Sequence, residues 1–144
     1  MKNILLSIDF NGNEHLLIEQ AFLFANSFDA KIWLLHVAAP DPDFVGYEPG
    51  PQYIRDSRAE DLRKEHQLLQ KYANELNARG VEAEGLLIQG PTIEMVIEES
   101  EKLEIDMIII GHQEHNFLYK VFIGSVSDEI VQKSTIPVLL VPLD

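Results

Sequence analysis

The sequence predicts an α/β fold: a single doubly wound domain in which a parallel sheet carries helices on both faces. Three observations predict it. Short apolar runs alternate with longer amphipathic segments from one end of the chain to the other, and strands alternating with helices build parallel sheets through crossovers. The apolar run Met107-Ile108-Ile109-Ile110 stops at Gly111. Gly124-Ser125 then opens a helical pattern, which is the strand–loop–helix sequence that α/β proteins use to cradle anions.

Residues 3–8 read as a buried strand. Asn13 stands as N-cap of a helix reaching Phe28, with Leu17, Ala21, Phe24 and Phe28 on one face. Residues 31–37 (KIWLLHV) form a second strand. Residues 38–53 carry Pro40, Pro42, Pro49 and Pro51, which argues for a loop within the domain. Residues 55–79 are a long amphipathic helix, with Gly80 as its C′ residue. A half-exposed strand over 81–88 follows, then Gly90-Pro91 and a helix over 93–103. A fourth strand covers 106–110, a last helix 127–134 and a last strand 137–141. Ligands of such sheets bind outside the carboxyl ends of the strands, where strand order reverses. Asp9, Val37 and Gly111 all fall at predicted carboxyl ends.

Composition narrows the function. The 144 residues suffice for one domain with a sizeable core. The formal net charge of −13 repels phosphate backbones and anionic lipids, so nucleic-acid and membrane partners are not expected. No apolar run approaches the roughly 20 residues that cross a bilayer, and the N-terminus shows no signal peptide. Cysteine is absent, which removes disulfide and thiolate chemistry. The expected location is cytoplasmic.

The opening KNILLSIDF, the strand LLHV, the turn IQGP, the segment DMIIIG and the ending TIPVLLVP, with Gly111 and Gly124-Ser125-Val126-Ser127 between, resemble the universal stress protein family over essentially the full length. The resemblance implies a five-stranded parallel sheet in the order 3-2-1-4-5. It implies a homodimer through the C-terminal strand, Pro137 to Val141. It also implies stress-response signalling through partners, with ATP, ADP or AMP bound in the nucleotide-binding branch. In that branch a Gly-x-x-Gly segment precedes Gly-Ser or Gly-Thr. Gly111, Gly124 and Ser125 match; Glu114 stands in place of the second glycine.

By the same resemblance Asp9 lies beside the ribose and base. The Val37 backbone faces the adenine edge. Gly111 passes the sugar, and Gly124, Ser125, Val126 and Ser127 meet the phosphates. Elementary chemistry agrees. A carboxylate accepts from ribose hydroxyls, and a strand end offers one donor and one acceptor. Hydroxyls at a helix N-terminus suit phosphate. Glu114 opposes it: a carboxylate about 7 Å from a phosphate charge, at an effective dielectric of about 40, costs roughly 1.2 kcal/mol. That penalises ATP more than adenosine or AMP. Mg²⁺ or Mn²⁺ accompanying the nucleotide would relieve it, and Lys120 reads either as a further counter-charge or as a plain solvated lysine.

Two other readings stay open. The chain is alternatively a dimeric interaction module of the same fold, with Glu114 marking a lost site. A third reading is a metal-assisted phosphohydrolase using His112, Glu114 and His115. No GxxxxGK[ST] loop is present, so ATP hydrolysis should be slow at most, and no catalytic residue is assigned. His36, inside an apolar strand, reads as a satisfied core or interface histidine. Gly90-Pro91 reads either as a site turn or as a plain connector, and Ser127 either as a phosphate ligand or as an exposed first-turn residue.

Overall fold

The computed structural model describes residues 1–39, 52–113 and 126–143. The order along the chain is β1 (Asn3–Ser7), α1 (Glu14–Phe28), β2 (Lys31–Ala38), α2 (Gln52–Ala78), β3 (Ala83–Gln89), α3 (Thr92–Lys102), β4 (Met107–His112), α4 (Val126–Lys133) and β5 (Val138–Pro142). All pairings are parallel, and the sheet order is β3-β2-β1-β4-β5. This is the predicted doubly wound α/β sheet. The order reverses between β1 and β4, so the carboxyl ends of these two strands diverge to leave a crevice.

Strand alternation sorts the core into two layers. Ile4, Leu6, Ile32, Leu34 and Ile109 point to one face, against Leu17, Ala21 and Ala25 of α1 and Leu69, Ala73 and Leu76 of α2. Leu5, Leu35, Ile108 and Ile110 point to the other, against Val96 of α3 and Ile130 of α4. Both faces of β1, β2 and β4 are therefore buried, which is why these strands read as near-continuous apolar runs.

Several expected boundaries move. β4 runs on through Gly111 and His112, because β5 continues to Pro142 and pairs Gly111 with Val141 and His112 with Pro142. Gly111 is thus a strand residue and not the first residue of a loop. β3 begins at Ala83, and α2 begins at Gln52, three residues before the expected start. Asn13 occupies the N-cap of α1 but makes no side-chain cap. The Glu14 carboxylate instead accepts from the Gly12 N–H at 3.0 Å.

Helix ends follow a shared pattern. After α2, the Gly80 and Val81 N–H groups return to the Asn77 and Leu76 carbonyls, with Gly80 at φ +94°. This is the two-bond Schellman closure that favours glycine at C′. After α3 the same pair of bonds runs from Glu104 and Ile105 to Glu101 and Ser100, with Glu104 at φ +54°.

Candidate functional site

The crevice is built by segments that the fold delivers to one place. Ser7, Ile8 and Asp9 come from the end of β1, Val37 from β2, Thr92 from the first turn of α3, Ile110 and Gly111 from β4, and Val126 from the first turn of α4. Leu17 of α1 and Leu143 beyond β5 complete a cavity of about 140 Å³. Of the residues expected to bind nucleotide, Asp9, Val37, Gly111 and Val126 line it together. Ser127 lies beside Val126 in the chain. Glu114, Gly124 and Ser125 lie outside the described residues, as do Lys120 and His115.

The backbone at Val37 is suited to reading a ligand edge. Leu35 turns its carbonyl to β1, where the Ile8 N–H donates at 2.9 Å. The β1–β2 ladder stops at the Ser7–Leu35 rung. Val37, two residues further, turns its peptide groups the same way, past the end of β1 and toward the crevice.

Asp9 is exposed at the mouth, and both its neighbours are restrained. The Ile8 carbonyl accepts from His36 Nδ1 at 2.7 Å. Phe10 adopts a left-handed conformation at φ +58°, which for a non-glycine residue costs on the order of 1–3 kcal/mol. The Phe10 ring packs on the His36 ring with centroids 4.6 Å apart. His36 is 8% exposed, and its other nitrogen, Nε2, lies 3.3 Å from Glu65 Oε2 of α2. The core reading of His36 is correct as far as it goes.

Ser127 is 3% exposed, so the reading of it as an exposed first-turn residue is corrected. Its hydroxyl lies 3.0 Å from His112 Nδ1. Burial follows from register: the α4 face that turns Ile130 into the core also turns Ser127 inward. The first turn of α4 also carries Asp128 and Glu129. These acids favour the helix, yet they add negative charge where a phosphate would sit.

Gly111 is glycine for a reason visible here. A Cβ at this position would come within 3.0 Å of Leu143 Cγ and closer still to Cδ1. The packing demand comes from the chain itself, over the strand position assigned to the sugar. Thr92 and Leu143 are crevice residues that sequence reasoning missed. Thr92 could have been found, since Gly90-Pro91 ends β3 at the carboxyl edge of the sheet; its place in the lining favours the site-turn reading. Leu143 carries no local signal.

Among the described residues no group of three or more His, Asp or Glu could hold a metal ion. His112 faces Ser127, and its proposed co-ligands Glu114 and His115 lie outside the described residues. Among the described residues no helix is long and apolar enough to cross a membrane.

The family model described as the universal stress protein family matches residues 1–142. The chain belongs to that family. A universal stress protein from Helicobacter pylori is 29% identical over 139 residues, covering 96% of this chain and 98% of the relative. The stress response protein NhaX of Bacillus subtilis is 32% identical over 107 residues, 72% of this chain; the match spans 59% of that relative's length. Among solved structures, a universal stress protein in complex with cAMP superposes with a TM-score of 0.72 at 14% identity, covering 99% of this chain and 98% of the other. The Archaeoglobus fulgidus universal stress protein in complex with dAMP gives 0.64 at 14% identity, with 98% of each chain covered. Family membership thus places this chain among stress-response proteins, and the structural likeness establishes the shared fold.

Proposed function

We propose that this chain is a cytoplasmic stress-response protein that binds an adenine nucleotide in the crevice between β1 and β4. One observation carries the reading. Asp9, Val37 and Gly111 come from three distant stretches of chain, and the fold gathers them around one cavity beside the first turn of α4. Two family members of the same fold hold cAMP and dAMP, which supports an adenine ligand. In this reading Asp9 accepts from the ribose, the Val37 backbone meets the base, and Gly111 lies under the sugar. Gly124, Ser125 and the backbone of Val126 and Ser127 receive the phosphates, the Ser127 hydroxyl being paired with His112, with Mg²⁺ or Mn²⁺ offsetting Glu114. The protein acts as a homodimer through residues 137–141. Among the described residues β5 pairs on one side only, and Leu140 is 39% exposed; an open edge of this kind gains from pairing with its twin.

A second reading is favoured by two observations. The cavity of about 140 Å³ is smaller than the ~300 Å³ at which ligand pockets begin. The first turn of α4 is acidic. On these grounds the chain is a dimeric interaction module that has lost its nucleotide.

Calorimetric titration with AMP, ADP and ATP, with and without Mg²⁺, separates the two. Saturable binding that disappears in Asp9→Ala supports the nucleotide reading. Bound ligand at 100 times its Kd should then stabilise the fold by about 2.7 kcal/mol. No binding under any of these conditions leaves the interaction module.

A further inference from the structure

We propose that His36, braced by Glu65, is a positioning residue for Asp9: it holds the chain on both sides of that carboxylate and so sets where it meets the ribose hydroxyls. The inference rests on the nucleotide reading of the crevice. Its first test does not require a ligand.

Three contacts converge on the His36 ring. Nδ1 lies 2.7 Å from the Ile8 carbonyl, on the residue before Asp9. The ring packs against Phe10 in a tilted arrangement, centroid to centroid at 4.6 Å and 58° between planes, on the residue after Asp9. Nε2 faces Glu65 Oε2 at 3.3 Å. A carbonyl only accepts, so Nδ1 carries a hydrogen in this arrangement. That settles the ring's orientation, and Glu65 holds the opposite edge. Glu65 Oε2 is buried and makes no hydrogen bond among the described residues. A buried carboxylate oxygen is costly without compensation, and His36 Nε2 is the polar atom that faces it, at 3.3 Å.

The place of Glu65 in its helix makes the same point. Leu69, Ala73 and Leu76 form the buried stripe of α2, and Glu65 is one turn before Leu69 on that stripe. A carboxylate stands where packing alone would favour an apolar residue. Phe10 supplies the reason that a clamp is needed. A left-handed phenylalanine persists only where its surroundings over-determine it. Without the ring beneath it, the segment after Ile8 would relax toward ordinary backbone, and Asp9 would lose its fixed direction.

The first measurement is amide hydrogen exchange on the ligand-free protein. The Ile8 and Gly12 amides are both hydrogen-bonded, to Leu35 O and Glu14 Oε1. In His36→Leu their exchange should accelerate about tenfold, while the amides of β4 stay unchanged. Glu65→Gln, which keeps the side-chain shape and a polar group facing Nε2, should give a smaller effect than Glu65→Leu. Unchanged exchange at Ile8 and Gly12, or equal acceleration across the sheet, overturns the proposal; the second outcome means that His36 is structural only.

The second measurement compares adenosine with 2′,3′-dideoxyadenosine. His36→Leu should weaken adenosine about tenfold and leave the dideoxy analogue unchanged, and it should add nothing to Asp9→Ala in the double variant. Equal losses for both nucleosides, or additive losses in the double variant, overturn the coupling to Asp9. If the unaltered protein binds neither nucleoside, the nucleotide reading fails, and hydrogen exchange alone decides whether His36 positions Asp9.

Discussion

His112 Nδ1 lies 3.0 Å from the Ser127 hydroxyl oxygen, a contact that ties the last residue of β4 to the first turn of α4. Ser127 is buried, and the bond joins the chain neighbours of Gly111 and Val126, which line the crevice. Ser127→Ala should therefore lower stability by about 1–2 kcal/mol, the usual cost of orphaning a partly buried partner. Urea unfolding measures it. AMP affinity should change less than about threefold. Unchanged stability with a tenfold loss of affinity would instead make the hydroxyl a direct phosphate ligand.

Gly111 and Leu143 form a second close pair. Gly111→Ala drives a methyl group into the Leu143 side chain and should cost about 1–3 kcal/mol, as overpacking does. Leu143→Ala alone should cost about 2 kcal/mol or more, since the side chain is buried. The double variant should cost less than the sum, because the clash disappears with the leucine. Strict additivity in urea unfolding would show that the two side chains do not meet.

Glu104 closes α3 in a left-handed conformation that glycine adopts without penalty. The strain of about 1–2 kcal/mol is partly offset in a glycine variant by extra freedom in the unfolded chain. Glu104→Gly should thus raise stability by about 0.5–1 kcal/mol in thermal or urea unfolding. The Asn3 side-chain amide bonds to the Glu104 backbone carbonyl and survives the change.

Asp106 gives stability a dependence on acid. Its carboxylate accepts from the Lys2 N–H at 2.7 Å and the Asn3 N–H at 2.9 Å. These bonds, the Lys2 one first, hold its pKa below the ordinary 3.8, against desolvation and helped by the charges of the N-terminus and Lys2. A lowered folded-state pKa contributes stability that is fully present above the unfolded value and fades as pH falls through the folded one. Asp106→Asn should therefore be less stable than the unaltered protein at pH 7, and the gap should narrow as pH falls below the ordinary 3.8. Because the carboxylate is largely exposed, salt should shrink the effect. A gap that stays constant with pH would remove Asp106 from the account.

Glu114 lies outside the described residues, and its charge alone makes a prediction. Glu114→Gly should tighten ATP roughly tenfold and leave adenosine nearly unchanged, since only the phosphates feel the carboxylate. Parallel titrations of the two ligands check it. Equal effects on both would show that bulk and not charge is at work.

The order of elements was legible because it is written in local pattern. Ile4, Leu5 and Leu6 are apolar in succession, and a strand buried on both faces requires that. Gly80 announced the end of α2 because its left-handed conformation favours glycine. The end of α3 was less legible: Glu104 makes the same turn without a glycine to mark it. The extension of β4 through Gly111 and His112 was hidden because it depends on how far β5 runs beside it.

The sequence by itself determined that the chain alternates strands and helices, that its strand ends carry Asp9, Val37 and Gly111, and that Gly124-Ser125 precedes the last helical pattern. These are properties of neighbouring residues, and the period of a strand or helix exposes them. Tertiary structure alone decided that His36 and Glu65 brace the flanks of Asp9, that Leu143 covers Gly111 and that His112 takes up Ser127. Each of these joins positions on different elements. No local period encodes such a contact; it exists only once the sheet has brought the strand ends together.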